Sequence, residues 1–294
     1  MNKEELIKKV RKIEIKTKGL SHDIFAGEYH SAFKGRGMSF SEVREYQIGD
    51  DIRDIDWNVT ARSSKAHIKI YEEERELTMM LLIDLSGSGD FGTRLRTKRE
   101  TAAEIAAVIA FSAAQNNDKV GCILFTDNVE KYIPPKKGRQ HVLRIISEIL
   151  DFQPESKLTN LSVPLKYLTN VLKKRSTAFI LSDFDDVDTE MELPRYKDPL
   201  KIASKKHDLV ALNIFDPREL ELPNVGLVEL RDKETDQKQW VDTSSRKVRE
   251  QYANHQQSKQ NIIARQFTRE KIDSVAIATN EDYVTSLIKL FKMR

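Results

Sequence analysis

The chain has 294 residues, of which 39% are hydrophobic and 32% are charged, so it is long enough to bury a good core in one or two globular domains. Its 49 lysines and arginines nearly balance its 46 aspartates and glutamates, and the formal charge of +3 gives no whole-surface field that would attract nucleic acid or anionic lipid. The single cysteine, Cys122, has no mate for an intrachain disulfide and lies in an apolar run typical of a buried side chain.

Residues 1–75 differ from the rest of the chain, because charged and aromatic side chains are mixed and helical periodicity is poor after Lys18. No apolar segment typical of a signal peptide is visible, and the longest apolar runs are much shorter than the roughly 18 to 20 residues that span a bilayer. We therefore expect a cytoplasmic protein with no membrane span. Residues 1–75 should pack on the core, because several apolar side chains would cost free energy if exposed: Phe40, Tyr46, Ile52, Ile55 and Trp57.

Within that segment, residues 49–57 alternate aspartate and arginine around apolar residues. A charge run of this kind is common on a solvated face. The same pattern also suits a structural clasp, in which oppositely charged side chains pair and the apolar residues anchor the segment. We favour the clasp over a binding site.

From about Leu77 onward, short β-like runs alternate with longer helical patterns, which is typical of a parallel sheet covered by helices. The predicted strands have near-continuous apolar content, which suits burial on both faces; they are residues 77–84, 119–125, 177–182, 208–215 and 273–278. The predicted helices are residues 94–116, 138–152, 163–174, 200–206 and 282–292. We therefore predict a doubly wound, Rossmann-like α/β domain over residues 76–294, with a late β-hairpin and a long polar helix at about 225–272.

The first of these strands ends in a cluster of oxygen-bearing side chains. Asp84, Ser86 and Ser88 are spaced so that a loop can turn all three toward one point. In doubly wound sheets the ligand site forms at the carboxyl ends of the strands, and hard oxygen ligands suit Mg²⁺. Taken alone, however, the same residues are also ordinary for a loop that enters a helix.

Two further segments fall at the same edge of the predicted sheet, one with Thr159 in a loop and one with Asp183 after a strand. With them the sequence resembles the von Willebrand factor type A domain, whose metal-ion-dependent adhesion site combines Asp-x-Ser-x-Ser, a loop threonine and a post-strand aspartate. The resemblance implies a site for Mg²⁺ or Mn²⁺ made by Asp84, Ser86, Ser88, Thr159 and Asp183. It also implies that the hydroxyls bind the ion directly or through water, whereas the carboxylates act mainly by their charge or through bridging water. An open coordination position would then accept an acidic side chain of a protein partner.

Other stretches narrow the resemblance. Residues 35–40 (GRGMSF), 49–57 (GDDIRDIDW) and 216–219 (DPRE) look like the signature of the domain-of-unknown-function fifty-eight family, von Willebrand-like proteins linked to MoxR-type AAA+ ATPases. This implies a non-catalytic adaptor or co-factor protein for such an ATPase, or for its client, in protein-complex assembly or maturation. The chain departs from the family at Gly89, often methionine, and at residues 234–236, often Glu-Thr-Gly. Many relatives also carry membrane helices.

An enzyme is the main alternative. Asp84 could be the nucleophile of a haloacid dehalogenase-like phosphoryl-transfer enzyme, with Asp183, Asp185 or Asp186 holding Mg²⁺. That chemistry normally uses a second carboxylate two residues after the first, and Ser86 stands there instead. We therefore favour a protein that is not an enzyme.

A nucleic-acid-binding protein is the third alternative, because residues 3–18 are net basic and a second basic cluster contains Lys136, Lys137 and Arg139. Neither run interleaves the aromatic residues that stack on bases, so we expect no nucleic-acid partner. The six histidines show no spacing typical of zinc ligands. No glycine-rich phosphate-binding loop of the P-loop type is present, so any ATP would belong to a partner.

Overall fold

The computed structural model describes residues 3–20, 39–63, 65–72, 77–92, 96–231 and 238–294. Contacts divide the chain into two compact units, one of residues 1–32 and 78–294 and the other of residues 33–77. Three features predicted from the sequence lie outside the described residues: the first part of the family motif, at 35–38, the departure from the family at 234–236, and the start of the helix expected from residue 94.

A six-stranded sheet forms the centre of the larger unit. In chain order its strands are β3 (Thr78–Asp84), β4 (Lys119–Phe125), β5 (Val129–Lys136), β6 (Thr177–Ser182), β9 (Asp208–Phe215) and β12 (Asp273–Ala278). Their order across the sheet is β12-β9-β6-β3-β4-β5, and every pair is parallel except β4 with β5. The doubly wound, mostly parallel architecture is confirmed, as are all five predicted strands.

The edge strand β5 is the one strand of the sheet that the sequence analysis does not predict. Ile133 is buried but the other side chains of β5 are half-buried or exposed, and the strand contains Pro134 and Pro135, which cannot donate backbone hydrogen bonds. Because β5 lies at the edge and pairs only with β4, the prolines interrupt no second ladder. A strand of this composition lacks the apolar run that identifies a central strand.

Helices cover both faces of the sheet. One face carries α3 (Lys98–Gln115), α4 (Arg139–Asp151) and α9 (Tyr283–Lys292), and the other carries α5 (Ser162–Val171), α6 (Lys197–Lys206) and α8 (Arg246–Glu270). The second group shares one buried apolar cluster with the sheet. The short α7 (Pro217–Leu220) follows β9 directly. No helix in the described part of the chain is both long and apolar enough to cross a membrane.

The first helix, α1 (Lys3–Leu20), belongs to the larger unit and packs on α3 and α4. Ile13 is buried there, and Lys9 and Lys16 form ion pairs with Glu100 and Glu104 of α3. Since the sheet covers one side of α3 and α1 another, most of the α3 side chains are buried, and the helix shows no polar face.

The late part of the larger unit agrees with the sequence analysis. Strands β10 (Leu227–Arg231) and β11 (Lys238–Asp242) form an antiparallel hairpin, and α8 runs for 25 residues after it. Two shorter strands, β7 (Val187–Asp188) and β8 (Leu193–Pro194), pair with each other after β6. In the chain, β7 and β8 therefore follow β6, and the hairpin and α8 follow β9.

The smaller unit is built on an antiparallel pair, β1 (Ser39–Glu45) and β2 (His67–Glu72). Between them lie a 3₁₀ turn, Ile52–Asp54, and α2 (Trp57–Thr60), whose N-terminus is capped by the Asp56 carboxylate. Arg44 holds Asp50 through two hydrogen bonds of 2.8 Å. Within residues 49–57, Arg53 pairs with Asp51 at 2.9 Å, so charged side chains of this stretch do engage in ion pairs.

The apolar residues of that stretch are less buried than the expected clasp requires. Ile52 and Trp57 are 66% and 68% exposed, whereas Ile55 is half-buried. The structure also divides the segment of residues 1–75, because α1 belongs to the larger unit and residues 33–77 form the smaller one. Packing of the smaller unit on the α/β core stays a prediction.

Candidate cation site

The first loop of the site follows β3, the strand that lies between β4 and β6. Asp84 is the last residue of β3 and is only 8% exposed. Its Oδ1 accepts a 2.9 Å hydrogen bond from the backbone N–H of Ser86, which fixes the turn. The hydroxyl oxygens of Ser86 and Ser88 then lie 3.2 Å apart. The loop thus links Asp84 to Ser86 and places the hydroxyls of Ser86 and Ser88 side by side.

The second loop follows β6, the neighbour of β3. Ser182, the last residue of β6, donates a 2.6 Å hydrogen bond to Oδ2 of Asp84 and so joins the two strand ends. Asp183 comes next, and its Oδ1 accepts from the backbone N–H of Asp185 at 3.2 Å. The nearby Ser88 hydroxyl also helps to lower the pKa of Asp183. Asp183 therefore faces the first loop across the junction of β3 and β6.

Thr159 lies in a third loop, before α5. This loop is joined to the first one, because the backbone N–H of Gly87 donates to the Lys157 carbonyl at 2.9 Å. Thr159 itself is half-buried. The structure therefore gathers Asp84, Ser86, Ser88 and Asp183 directly and places Thr159 on the adjoining loop.

A buried lysine, which the sequence analysis does not identify, completes the cluster. Lys98 is the first residue of α3 and is 5% exposed. Its ammonium donates 2.7 Å hydrogen bonds to Oδ2 of Asp183 and to Oε1 of Glu219. One signal in the sequence could have identified it, because a lysine in the first turn of a helix opposes the helix dipole and is worth inspecting for another role.

Glu219 reaches the cluster from α7, after β9. Asp216 caps this helix, accepting a 2.9 Å hydrogen bond from the N–H of Arg218, while Glu219 Oε2 accepts one of 3.0 Å from the N–H of Asp216. The Tyr252 hydroxyl of α8 donates to the backbone carbonyl of Glu219 at 3.0 Å. The motif at residues 216–219, noted above only for its resemblance, thus positions a carboxylate beside Lys98.

Burial and charge set the ionisation of the cluster. Burial raises the pKa of Asp84 to about 6, and the negative charge of Asp183 acts in the same direction. Burial also disfavours the charged form of Asp183, but Lys98 outweighs it and holds the pKa of Asp183 below its usual range. Burial opposes the charge of Lys98 as well, but Asp183 and Glu219 raise its pKa. Asp183 and Lys98 are therefore an ion pair at neutral pH.

Asp84, Lys98 and Asp183 line a small crevice of about 20 Å³ at the carboxyl edge of the sheet. Its polar lining includes Asp84, Ser88, Lys98 and Asp183. The available oxygens are hydroxyls and carboxylates, the donor set that hard divalent cations prefer. No group of three or more His, Cys, Asp or Glu side chains suited to a metal ion occurs among the described residues, so a cation here would depend on the serines.

The two other aspartates near the crevice have different partners. Asp185 pairs with Lys259 of α8 at 2.8 Å, and Asp186 accepts a hydrogen bond from the backbone N–H of Leu161. These two carboxylates are therefore engaged away from Asp84. The arrangement gives no support to a phosphoryl-transfer site in which they hold Mg²⁺ beside an Asp84 nucleophile.

The sequence matches the profile of a family described as "Protein of unknown function DUF58" over residues 42–262. The uncharacterized protein Rv1480 of Mycobacterium tuberculosis (strain ATCC 25618 / H37Rv) is 32% identical over 229 residues, which are 77% of this chain and 70% of that protein.

Two solved structures are similar in fold alone. The conserved hypothetical protein BatB from Bacteroides thetaiotaomicron has 14% sequence identity and a TM-score of 0.47, covering 74% of this chain and 98% of that chain. The SpRpn10 VWA domain has 11% sequence identity and a TM-score of 0.39, covering 74% of this chain and 95% of that chain.

Proposed function

Because the chain belongs to the family of proteins of unknown function DUF58, and because its crevice gathers hydroxyl and carboxylate oxygens, we propose that it is a non-catalytic protein-binding module that uses a metal-ion-dependent adhesion site. The cation is Mg²⁺ or Mn²⁺. The partner is a MoxR-type AAA+ ATPase, or a client of that ATPase, which offers an acidic side chain to the site. The chain then acts as an adaptor in the assembly or maturation of a protein complex.

The observation that supports this proposal best is the junction of β3 and β6. Ser86 and Ser88 place two hydroxyl oxygens 3.2 Å apart, and Asp183 lies across from them. Both oxygens of Asp84 already accept hydrogen bonds from the protein, one from Ser86 and one from Ser182. Asp84 therefore suits an outer role, in which it orients the loop and supplies negative charge.

The proposed roles follow from these contacts. Ser86, Ser88 and Thr159 would hold the cation through their hydroxyls, and Asp84 and Asp183 would act through charge and bridging water. When bound, the cation supplies a strong positive charge that an incoming carboxylate can meet. The surface around the crevice then supplies specificity for one partner over others.

Calorimetric titration with Mn²⁺ at neutral pH tests the cation site. We expect wild-type protein to bind Mn²⁺ and the double variant Ser86→Ala, Ser88→Ala to bind it at least about tenfold more weakly, because both nearby hydroxyls are lost. Ser204→Ala is the matched control, since that hydroxyl only bonds a backbone carbonyl within α6. Equal Mn²⁺ affinity of the double variant and wild type would show that the site is assigned to the wrong residues.

A further inference from the structure

Lys98 places a fixed positive charge in the crevice. Its side chain is 5% exposed, and its ammonium lies 2.7 Å from a carboxylate oxygen of Asp183, in the loop after β6, and of Glu219, in α7. A buried ammonium is tolerated only when it is well paired, and here two carboxylates pair with it. Asp183 belongs to the proposed cation site, whereas Glu219 belongs to α7.

We infer that Lys98 sets the cation affinity of the site. Its ammonium holds Oδ2 of Asp183, and it must move toward Glu219 before that oxygen can interact with a divalent cation. This inference rests on the proposed function and names the residue that regulates the same site. Lys98 is thus a positioning residue that competes for Asp183. Glu219 is the group that keeps Lys98 paired after it withdraws.

The charges around the crevice predict whether the loss of Lys98 raises or lowers the cation affinity. Asp84 and Asp183 line the crevice with two carboxylates, Glu219 adds a third through its pairing with Lys98, and Lys98 contributes one compensating ammonium. The guanidinium of Arg99, which also borders the crevice, donates to the carbonyls of Ile149 and Phe152 on the other side. Removing Lys98 therefore leaves a more negative crevice and frees Oδ2 of Asp183, and both changes favour a divalent cation.

Glu219 is held firmly enough to act as the second partner of Lys98. Its Oε2 accepts the N–H of Asp216, so only Oε1 faces the ammonium. Its backbone carbonyl is fixed by Tyr252 of α8. If Glu219 is neutralised, Lys98 has Asp183 as its remaining carboxylate partner in the cluster and should hold it more tightly.

The experiment is a Mn²⁺ titration of the full chain, followed by calorimetry, with thermal unfolding of each variant as the test of folding. We expect Lys98→Met to bind Mn²⁺ about tenfold more tightly, which corresponds to roughly 1.4 kcal/mol. We expect Glu219→Gln to bind it roughly threefold more weakly. In the Lys98→Met background, Glu219→Gln should change the affinity much less, because the two residues act through one contact.

Two further variants complete the design. Lys131→Met is the matched control, because Lys131 also forms a 2.7 Å ion pair, with Glu148, and does not line the crevice. Lys98→Arg keeps the charge and can hold both carboxylates through a planar fork, so it should weaken Mn²⁺ binding. It provides the test if Lys98→Met fails to fold.

The outcomes separate this inference from the proposed function. If wild type binds Mn²⁺ and a folded Lys98→Met binds it equally or more weakly, the role of Lys98 is overturned and the cation site stands. An unchanged affinity of Lys98→Arg overturns it in the same way. If only Lys98→Met binds Mn²⁺, Lys98 does control the crevice and the proposed function fails. If no protein in the set binds Mn²⁺, both are overturned.

Discussion

His207 is a fully buried residue at the end of α6. Its Nδ1 lies 2.9 Å from the Ser176 hydroxyl, and its Nε2 has no hydrogen-bond partner within the described part of the chain. Burial lowers the pKa of His207 to about 4, and the charges of Lys206 and Arg175 act in the same direction. The folded protein therefore keeps this imidazole neutral, whereas an unfolded chain would protonate it near its usual pKa of about 6.5.

This difference predicts how stability changes with pH. The stabilisation is fully present above about pH 6.5 and is lost as pH falls toward 4, because the unfolded state binds the proton first. The limit is about 1.4 kcal/mol per pH unit for one proton. We expect His207→Gln to lose less stability than wild type over this window in urea unfolding. His255→Gln, at an exposed position, should follow the wild-type curve; identical curves for all three proteins would contradict the prediction.

At the scale of elements, the central strands and the first loop of the site are predictable from sequence. Strands buried on both faces give continuous apolar runs, and the spacing of Asp84, Ser86 and Ser88 is local. The contacts of Lys98 are not local, because Asp183 and Glu219 are 85 and 121 residues away in the chain. Their pairing depends on which strands become neighbours, and no short pattern in the sequence encodes that.

The pairing of β4 with its neighbours depends on Gly121. A β-carbon at this position would lie 2.6 Å from Sδ of Met80 and 3.0 Å from two backbone atoms of β5, the Ile133 oxygen and the Pro135 nitrogen. The sulfur of Met80 can move, but the backbone of a paired strand moves only at a cost. The glycine therefore allows β5 to approach β4 closely.

We expect Gly121→Ala to lower the free energy of unfolding by about 1 to 3 kcal/mol, the usual cost of overpacking in a core. Urea unfolding followed by circular dichroism measures the change. Gly89→Ala is the control, because a β-carbon there meets its nearest atoms at 3.9 and 4.0 Å, which is ordinary contact. A Gly121→Ala protein as stable as wild type would mean that β5 adjusts freely at the edge.

At the scale of the whole molecule, the near balance of acidic and basic residues leaves no general attraction to a charged partner. Binding of an acidic partner must then depend on a local charge. The crevice at the carboxyl edge of the sheet is the place where the proposed cation would provide it.

A pull-down with a purified MoxR-type AAA+ ATPase tests the proposed partner. We expect retention in Mg²⁺, and at least about tenfold less in chelator or with Asp183→Asn, because the carboxylate of the partner then meets no cation. Glu155→Gln, which neutralises an exposed carboxylate that does not line the crevice, should retain the ATPase as wild type does. If neither chelator nor Asp183→Asn changes the retention of the ATPase, the cation does not mediate binding. Another surface would then bind the partner, and residues 49–57 are the first candidate.

The position of α1 has a consequence for the order in which the chain folds during synthesis. Its ion-pair partners on α3 lie 88 and 91 residues later in the chain, and its partner on α4, Arg139, lies 125 residues after Glu14. At the usual ribosomal rate of about 5 to 20 residues per second, α1 waits roughly 5 to 25 s before these partners have been made. Helix α1 can thus reach its final place only after α3 and α4 have been made, and its apolar face stays open to chaperones during that interval.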